Sequence, residues 1–409
     1  MTTFTLSDEL PCHADTAWAM LTDPTRMNTW SSARVTLKEG GVGDRPDGVG
    51  ALRRTTLPHG GIGFLEVVEA SARPHVFRYR VFRAGPLLHH HRGEQRITPL
   101  TADRCRVDWT VDVALVAPLL GRGMVAYLRR EVRSSLTVLR TLVADLEIGP
   151  ASDPAPVTGR RPSPDRLAAL RAAADRALAE QRAIADRLAA ADDPKRWFAR
   201  VYQYVSEEMI ANAAAPSRLG LEHPDWVLAL IPTFHEYFAT NLDAYQAGRP
   251  AEPAWQKAWS TCERVDPENP ALPIMKGLLA GVAAHIEADL PRAIARVHDT
   301  DFADRDLREF RPDYLRLAPI FGTASDRLLD DLPDAYKPWW VAPVRRLHPN
   351  FLDAAIARTG YDVAGHRLRA FSAAVHLQAD DAGGRRDPAE IDRLSPTPTP
   401  RRNPPRSDR

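Results

Sequence analysis

The first part of the chain consists of short runs in which apolar and polar residues alternate, the pattern of β-strands with one buried face. Alternation is clearest over 104–115, and a second apolar row follows 77–81. These two rows are Cys105, Val107, Trp109, Val111, Val113 and Phe77, Tyr79, Val81. Strands are predicted over 4–10, 33–38, 50–57, 62–70, 75–82, 90–99 and 104–115.

A long amphipathic helix is predicted over 119–147, after the last strand. Its apolar side chains form one helical stripe: Leu120, Met124, Leu128, Leu136, Leu139, Leu142 and Leu146. A helix about 40 Å long needs a whole sheet to cover such a stripe. With two short helices, over 14–21 and from 23 to about 30, residues 1–148 are predicted to form an α+β helix-grip domain, a seven-stranded curved antiparallel sheet around a long C-terminal helix.

The pattern changes to helical periodicity beyond a proline-rich stretch. Residues 149–164 are rich in proline and small residues, which indicates a linker. From 165 to 380 an all-α domain is predicted, with a linker helix at 165–191 and a helical bundle at 195–380. Residues 381–409 are polar and proline-rich, and are predicted to be a disordered tail. The bundle helices are predicted at 197–211, 224–247, 253–262, 272–288, 291–298, 313–330, 335–347 and 350–377.

The order strand, two short helices, six strands and long helix, with the run PCHADTAWAMLTDPTRMNTW at 11–30, resembles the SRPBCC or START-like superfamily of polyketide cyclase/dehydrase and lipid-transport proteins. The resemblance implies a cavity between the long helix and the concave sheet. It favours a protein that binds a hydrophobic small molecule (lipid, polyketide or aromatic precursor), with or without cyclase/dehydrase-like activity. Whether the chain is an enzyme stays open, because fold does not determine chemistry.

Seven residues are predicted to line that cavity: Trp30, Phe64, Phe77, Tyr79, Trp109, Met124 and Leu128. The alternative for each is ordinary core packing. Of the histidines at 89–91, strand alternation leaves at most His89 and His91 on one side, so an exposed strand start is favoured over a metal site. His91 at the pocket mouth is an acid/base candidate. The glycine-rich run at 40–50 is assigned to turns, since a strand and no helix follows it.

Three stretches of the helical part resemble an all-helical bacterial family of unknown function, family 5995. They are WFARVY at 197–202 with VSEE at 205–208, NLDAYQAGRP at 241–250 and AHIEADLPRA at 284–293. The likeness covers about 195–380 and brings no known activity with it.

His285 and Asp289 stand four residues apart, so on a helix they share a face and form a candidate acid/base pair or metal site. His235, Glu208, Glu236 and Asp243 are candidates to complete it from other helices. A metal-assisted hydrolase centred on His285 and Asp289 is therefore the first alternative function. The competing structural interpretation makes Asp289 the N-cap of a helix starting at Leu290, and His285 a core histidine.

Charge and cysteine content restrict the partners. The chain has 54 basic and 53 acidic residues, a net charge of +1, which counts against nucleic acid as a main partner. Three cysteines without metal-binding spacing indicate neither a disulfide framework nor a zinc knuckle, and fit a reducing cytoplasm. With no leader-like N-terminus and no long apolar run, a cytoplasmic protein without integral membrane association is expected.

No phosphate loop, dinucleotide fingerprint or nucleophile elbow is present in the sequence, so no cofactor is predicted, with a divalent metal as the alternative. A second alternative function is a non-catalytic scaffold whose helical domain binds a partner protein.

Overall fold

The computed structural model describes residues 1–58, 63–84, 88–115, 118–146, 162–269, 271–333, 336 and 362–379. The chain divides into two compact units. The helix-grip unit comprises Met1–Arg160 and Asp304–Leu315, and the helical unit comprises Arg161–Ala303 and Arg316–Arg409. Most of the predicted linker at 149–164 and the whole predicted tail at 381–409 lie outside the described residues.

The helix-grip unit has the predicted order of elements, which confirms this part of the fold. Its strands are β1 Thr2–Leu10, β2 Arg34–Glu39, β3 Leu52–Thr56, β4 Gly63–Ala72, β5 Val76–Arg83, β6 Leu88–Thr101 and β7 Arg104–Leu115. Its helices are α1 Ala14–Thr22, α2 Pro24–Met27 and the long α3 Pro118–Val143. The segment 304–315 adds a 3-10 turn, Leu307–Phe310, and the start of α10, Arg311–Arg316.

The seven strands form one antiparallel sheet in the order β1-β7-β6-β5-β4-β3-β2. Both predicted apolar rows, on β5 and on β7, are buried, as the alternation requires. Trp109 is directly opposite Leu6 on β1 and Gln95 on β6. The dry face of the sheet therefore presents aromatic side chains toward α3.

Helix α3 packs on that face through a stripe slightly different from the predicted one. Leu136, Leu139 and Val143 are buried, with Leu128 and Val132 partly buried against the same core. Leu142, predicted to lie in the stripe, is 40% exposed. The turn of about 100° per residue explains the error, because a stripe through 132, 136, 139 and 143 leaves position 142 on the outer edge.

The helical unit is all-α, which confirms the second part of the predicted fold. Its helices are α4 Pro164–Ala190, α5 Arg196–Ala214, α6 Pro224–Gln246, α7 Pro253–Cys262, α8 Ala271–Ala284, α9 Leu290–Asp301, α11 Ala318–Asp331 and α12 Val363–Ala379. Several of them begin with proline in the first turn, where no intrahelical N–H is needed. The helix predicted at 335–347 and the first part of that at 350–377 lie outside the described residues.

Helices α8 and α9 are joined without a break by a π-helical turn, His285–Asp289, in which the Leu290 N–H donates to the His285 carbonyl. By length and composition alone, the combined stretch Ala271–Asp301 is the one described helix that could cross a membrane, and a third of its most apolar window is buried. It carries the buried charged residues Asp289 and Arg292.

Candidate functional site

A cavity of about 90 Å³ lies between the sheet and α3 within the helix-grip unit. Its lining combines aromatic and aliphatic side chains with serine, threonine, histidine, arginine and glutamate side chains. The lining residues are Met27, Ser31, Ser32, Ala33, Val35, Arg53, Thr55, Leu57, Phe64, Glu66, Tyr79, His91, Trp109, Val111, Leu128, Glu131, Val132 and Ser135. Just before β2, the Ser32 hydroxyl donates to Glu131 Oε2 on α3 at 2.6 Å.

A buried ion pair forms part of the cavity wall. Arg53 on β3 and Glu66 on β4 are directly opposite in the sheet, and Arg53 Nη2 lies 2.7 Å from Glu66 Oε1. Only 1% of the Arg53 surface and 3% of the Glu66 surface is exposed. The guanidinium also lies 4.8 Å from the ring centre of Phe77 and 5.4 Å from that of Tyr79. Burying two charges costs free energy that pairing recovers only in part, so the pair contributes little net stability although loss of one partner would be costly.

Four buried polar atoms of the lining residues have no hydrogen-bond partner among the described residues: Arg53 Nε, Thr55 Oγ1, His91 Nδ1 and Trp109 Nε1. Buried polar groups in folded proteins nearly always have a partner, because an unpaired one costs about 1–3 kcal/mol. Their concentration in one cavity wall gives an otherwise apolar space the means to bind a polar group of a ligand.

His91 differs from its sequence interpretation. The expectation of exposed histidines at the start of the strand is wrong for this residue: it is buried, with its ring 5.9 Å from that of Phe64 and 6.0 Å from that of Tyr79. Burial, assisted by the neighbouring His90, lowers the pKa of His91 to about 4. The imidazole is therefore neutral at pH 7, and one of its nitrogens is available to a bound molecule.

The structure distributes the seven predicted lining residues between cavity and core. Phe64, Tyr79, Trp109 and Leu128 line the cavity. Phe77 packs edge-on against Trp18, and Trp30 packs edge-on against Trp109 while its indole N–H donates to the Met20 carbonyl. Met124 is half-buried on α3, one turn before Leu128, and is not among the described residues of the wall. Core packing is thus the observed role of Phe77 and Trp30.

Tyr79 depends on a glycine for its place in the wall. Gly93 is directly opposite it on β6, and a Cβ added there would lie 2.3 Å from Tyr79 Cζ. Burial, and then the charge of Glu66, raise the pKa of Tyr79 well above its usual range, so its hydroxyl stays protonated. Trp109 Nε1 is close enough to Tyr79 to oppose that rise, yet it makes no hydrogen bond of good geometry.

In the helical unit, Asp289 is engaged in a different network. The Trp255 indole N–H donates to Asp289 Oδ2 at 3.0 Å, and Arg292 Nη2 donates to Asp289 Oδ1 at 2.8 Å. The same guanidinium binds both oxygens of Glu252 at 2.9 and 2.8 Å. The interpretation of Asp289 as an N-cap is wrong, since its backbone is helical and its side chain caps no N–H. The helix continues because these tertiary bonds hold the carboxylate inside the bundle.

His285 lies near this network without a hydrogen bond to it. Its Nδ1 is 3.6 Å from Asp289 Oδ2 and has no hydrogen-bond partner. Its ring packs against those of Phe198, Tyr202 and Phe234, and the buried Tyr202 hydroxyl is also without a partner. The aromatic surroundings agree with the core-histidine interpretation.

The other sequence candidates lie apart from His285 and Asp289 in their contacts. His235 Nε2 lies 2.9 Å from Glu180 Oε2, Glu236 binds Arg296, Glu208 lies 3.8 Å from Arg327, and Asp243 is exposed. Across the ranges given above for the structure, no three His, Cys, Asp or Glu side chains form a group able to hold a metal ion.

Sequence reasoning missed Arg53, Glu66 and Thr55 as site residues. One signal was present: a glutamate within the apolar run from Phe64 to Val68, on a strand predicted to be buried. A buried glutamate requires a cationic partner, and the preceding strand contains Arg53 and Arg54.

The N-terminal unit is thus a helix-grip protein with a partly polar cavity, and it matches the family model for polyketide cyclase / dehydrase and lipid transport over residues 1–144. The chain belongs to the family of unknown function (DUF5995), whose model matches residues 174–396. Both resemblances predicted from the sequence are confirmed. None of the curated proteins compared with the chain matches it.

Solved structures similar to the chain each cover about a third of it. A START superfamily protein from Mycobacterium smegmatis is 14% identical over 34% of this chain and 98% of its own, with a TM-score of 0.31. The di-domain aromatase/cyclase BexL of the BE-7585A biosynthetic pathway is 15% identical over 36% of this chain and 48% of its own, with a TM-score of 0.31. The Zhui aromatase/cyclase from Streptomyces sp. R1128 is 21% identical over 35% of this chain and 91% of its own, with a TM-score of 0.29.

Proposed function

We propose that the helix-grip unit binds a small, mainly apolar molecule that carries at least one hydrogen-bonding group. The single observation that supports this is the cavity in which aromatic and aliphatic walls surround the unpartnered polar atoms of Arg53, Thr55 and His91. Such a combination of apolar contact area with a few placed polar groups is typical of small-molecule sites. The match to a family that includes lipid transport and polyketide cyclisation agrees with this class of ligand.

The cavity volume narrows the choice among apolar ligands. Ligand pockets usually measure about 300–1,000 Å³, whereas this one measures about 90 Å³. A compact aromatic molecule is therefore favoured over an extended acyl or polyketide chain. The rings of Phe64, Tyr79 and Trp109 offer stacking and edge contacts to such a molecule.

The test fills the cavity from α3. Leu128→Trp places a large ring in the cavity, and Leu142→Trp makes the same change on the exposed side of the same helix. Binding is measured by fluorescence titration with 2-naphthol, a compact aromatic probe with one hydroxyl, and native mass spectrometry of the full chain tests for a copurified small molecule. We expect a loss of probe affinity of at least about tenfold for Leu128→Trp alone, the equivalent of losing ~1.4 kcal/mol of contact energy.

Equal probe affinity in wild type and both variants would place the probe outside the cavity and contradict the proposal. The absence of any probe binding or copurified molecule in wild type would do the same. Circular dichroism and thermal unfolding confirm that each variant is folded before its affinity is compared.

A further inference from the structure

A short segment from the region matched by the family of unknown function is part of the helix-grip unit. Residues 304–315 lie within the 174–396 match, yet they group with the first unit. Asp306 Oδ2 accepts a hydrogen bond from the Gly43 N–H at 2.9 Å, and Arg80 Nη2 donates to the Pro312 carbonyl at 3.4 Å. The segment therefore binds both the glycine-rich run at 40–50 and the sheet.

Arg311 is the main anchor of this segment, with none of its surface exposed. Its Nη1 donates to the Gly50 carbonyl at 2.7 Å and to the Gly40 carbonyl at 3.4 Å, and its Nη2 donates to Glu39 Oε2 at 2.7 Å. Burial lowers the pKa of Arg311 to about 10, so the guanidinium still carries its charge at neutral pH. A buried charge held by two backbone carbonyls and a carboxylate is a specific interaction, because loss of either side leaves polar groups unpaired.

A glycine of the glycine-rich run at 40–50 allows the segment to approach closely. Gly50 has a φ of +83°, and a Cβ added there would lie 2.0 Å from the Arg308 carbonyl oxygen. Gly43 has a similar φ of +67°, but a Cβ added there would meet nothing closer than 3.8 Å. Position 50 therefore needs glycine for two reasons, its positive φ and the close approach of the segment. Position 43 needs glycine only for its positive φ.

Gly50, which contacts the segment, lies just before β3, the strand that carries Arg53 and Thr55 of the cavity lining. Gly50 lies three residues before Arg53, and its N–H donates to the Val68 carbonyl on β4 at 2.8 Å. Fixing Gly50 therefore fixes the register in which β3 presents Arg53 and Thr55 to the cavity.

We propose that residues 304–315 are an intramolecular docking segment that completes the helix-grip unit, and that Arg311 is a positioning residue for the cavity strand β3. On this proposal, the helix-grip unit depends on sequence that lies within the region matched by the second family. Docking itself is independent of the proposed function, and only the effect on the cavity rests on it.

The experiment uses hydrogen exchange with mass spectrometry on the full chain. Arg311→Met removes the anchor at nearly constant volume, and Arg316→Met is the matched control, a buried arginine on the same helix that pairs with Glu222 in the helical unit. We expect amides of 40–56 and 304–315 to exchange at least about tenfold faster in Arg311→Met and at the wild-type rate in Arg316→Met. Arg311→Lys keeps the charge and is expected to restore part of the protection.

A second pair of variants separates docking from backbone strain. Gly50→Ala and Gly43→Ala introduce the same strain at positive φ, but only Gly50→Ala collides with the segment. We expect faster exchange of 304–315 in Gly50→Ala alone. Wild-type exchange of that segment in both Gly50→Ala and Arg311→Met would overturn the proposal.

Probe titration tests the second part of the proposal, that Arg311 positions β3 for binding in the cavity. Weaker binding of 2-naphthol by Arg311→Met, partly recovered in Arg311→Lys, supports the positioning role. Unchanged affinity together with faster exchange would remove that role and retain the docking. If wild type binds no probe, the proposed function fails while the exchange data still decide whether the segment docks.

Discussion

Each unit contains a buried ion pair, and the two pairs differ in what they leave unsatisfied. In the helical unit, both oxygens of Asp289 accept hydrogen bonds, and Arg292 also binds Glu252 and the Ala288 carbonyl. In the helix-grip unit, Arg53 pairs with Glu66 but its Nε stays unpartnered in a cavity wall beside Thr55 and His91. Burial of charge alone therefore does not mark a binding site. The proposed function rests instead on unused hydrogen-bonding capacity that faces a cavity.

The largest expected effect comes from removing one partner of each pair. Arg292→Met leaves Asp289 buried without its guanidinium, and Arg53→Met does the same to Glu66. Each is expected to lower the free energy of unfolding by about 3–5 kcal/mol, measured by urea denaturation, because an unpaired buried charge remains.

The comparison is decided by removing both charges of the cavity pair. The double variant Arg53→Met/Glu66→Leu should recover most of the stability, since an apolar pair replaces an ionic one. Its affinity for 2-naphthol should stay low, whereas Arg292→Met should bind the probe as wild type does at temperatures where it is folded. Normal affinity in the double variant would show that the cavity pair, like the one in the helical unit, is only structural.

Titration of His91 is the next largest effect. Its pKa falls from 6.5 in the unfolded chain to about 4 in the folded protein. Between these values the unfolded state binds more protons, so stability is complete above pH 6.5 and declines as the pH falls toward 4, by up to about 3 kcal/mol. His91→Phe should flatten this decline in urea titrations at several pH values. His89→Phe, at an exposed position of the same strand, should retain it, and an unchanged slope in His91→Phe would assign the decline to other groups.

Much of the fold follows from the sequence, because a two-residue period and a helical stripe are local properties. The apolar rows through Tyr79 and Trp109 gave the cavity wall in this way. The Arg53–Glu66 pair could not be derived similarly, since it depends on the register of β3 on β4. The prediction that Asp289 is an N-cap was wrong for a related reason. A local rule for Asp before Leu-Pro predicts a cap, but hydrogen bonds from Trp255 and Arg292 keep the helix continuous.

A smaller loss of stability is expected from replacing, in each unit, a glycine that packs against an aromatic ring. Gly93→Ala would press on Tyr79 in the cavity wall, and Gly281→Ala would press on Phe198, from which its Cβ would be 2.7 Å. Both should cost about 1–3 kcal/mol of stability, as overpacked cores do. Only Gly93→Ala should also weaken probe binding, because Phe198 belongs to the helical unit. Equal probe affinity in the two variants would show that the position of Tyr79 does not matter to the site.

The smallest effect concerns one unpartnered hydroxyl in each unit, and it separates the two most cleanly. Thr55→Val and Tyr202→Phe each remove a buried hydroxyl that makes no hydrogen bond. Because no bond is lost and an unpaired polar group disappears, unfolding free energies should stay constant or rise by up to about 1 kcal/mol. If Thr55 serves a ligand, Thr55→Val should lose several-fold in affinity for 2-naphthol while Tyr202→Phe loses none. A stability loss in Thr55→Val would instead mean that its hydroxyl has a structural partner, such as a bound water. Thr55 would then be a structural residue of the core and not a ligand-binding residue.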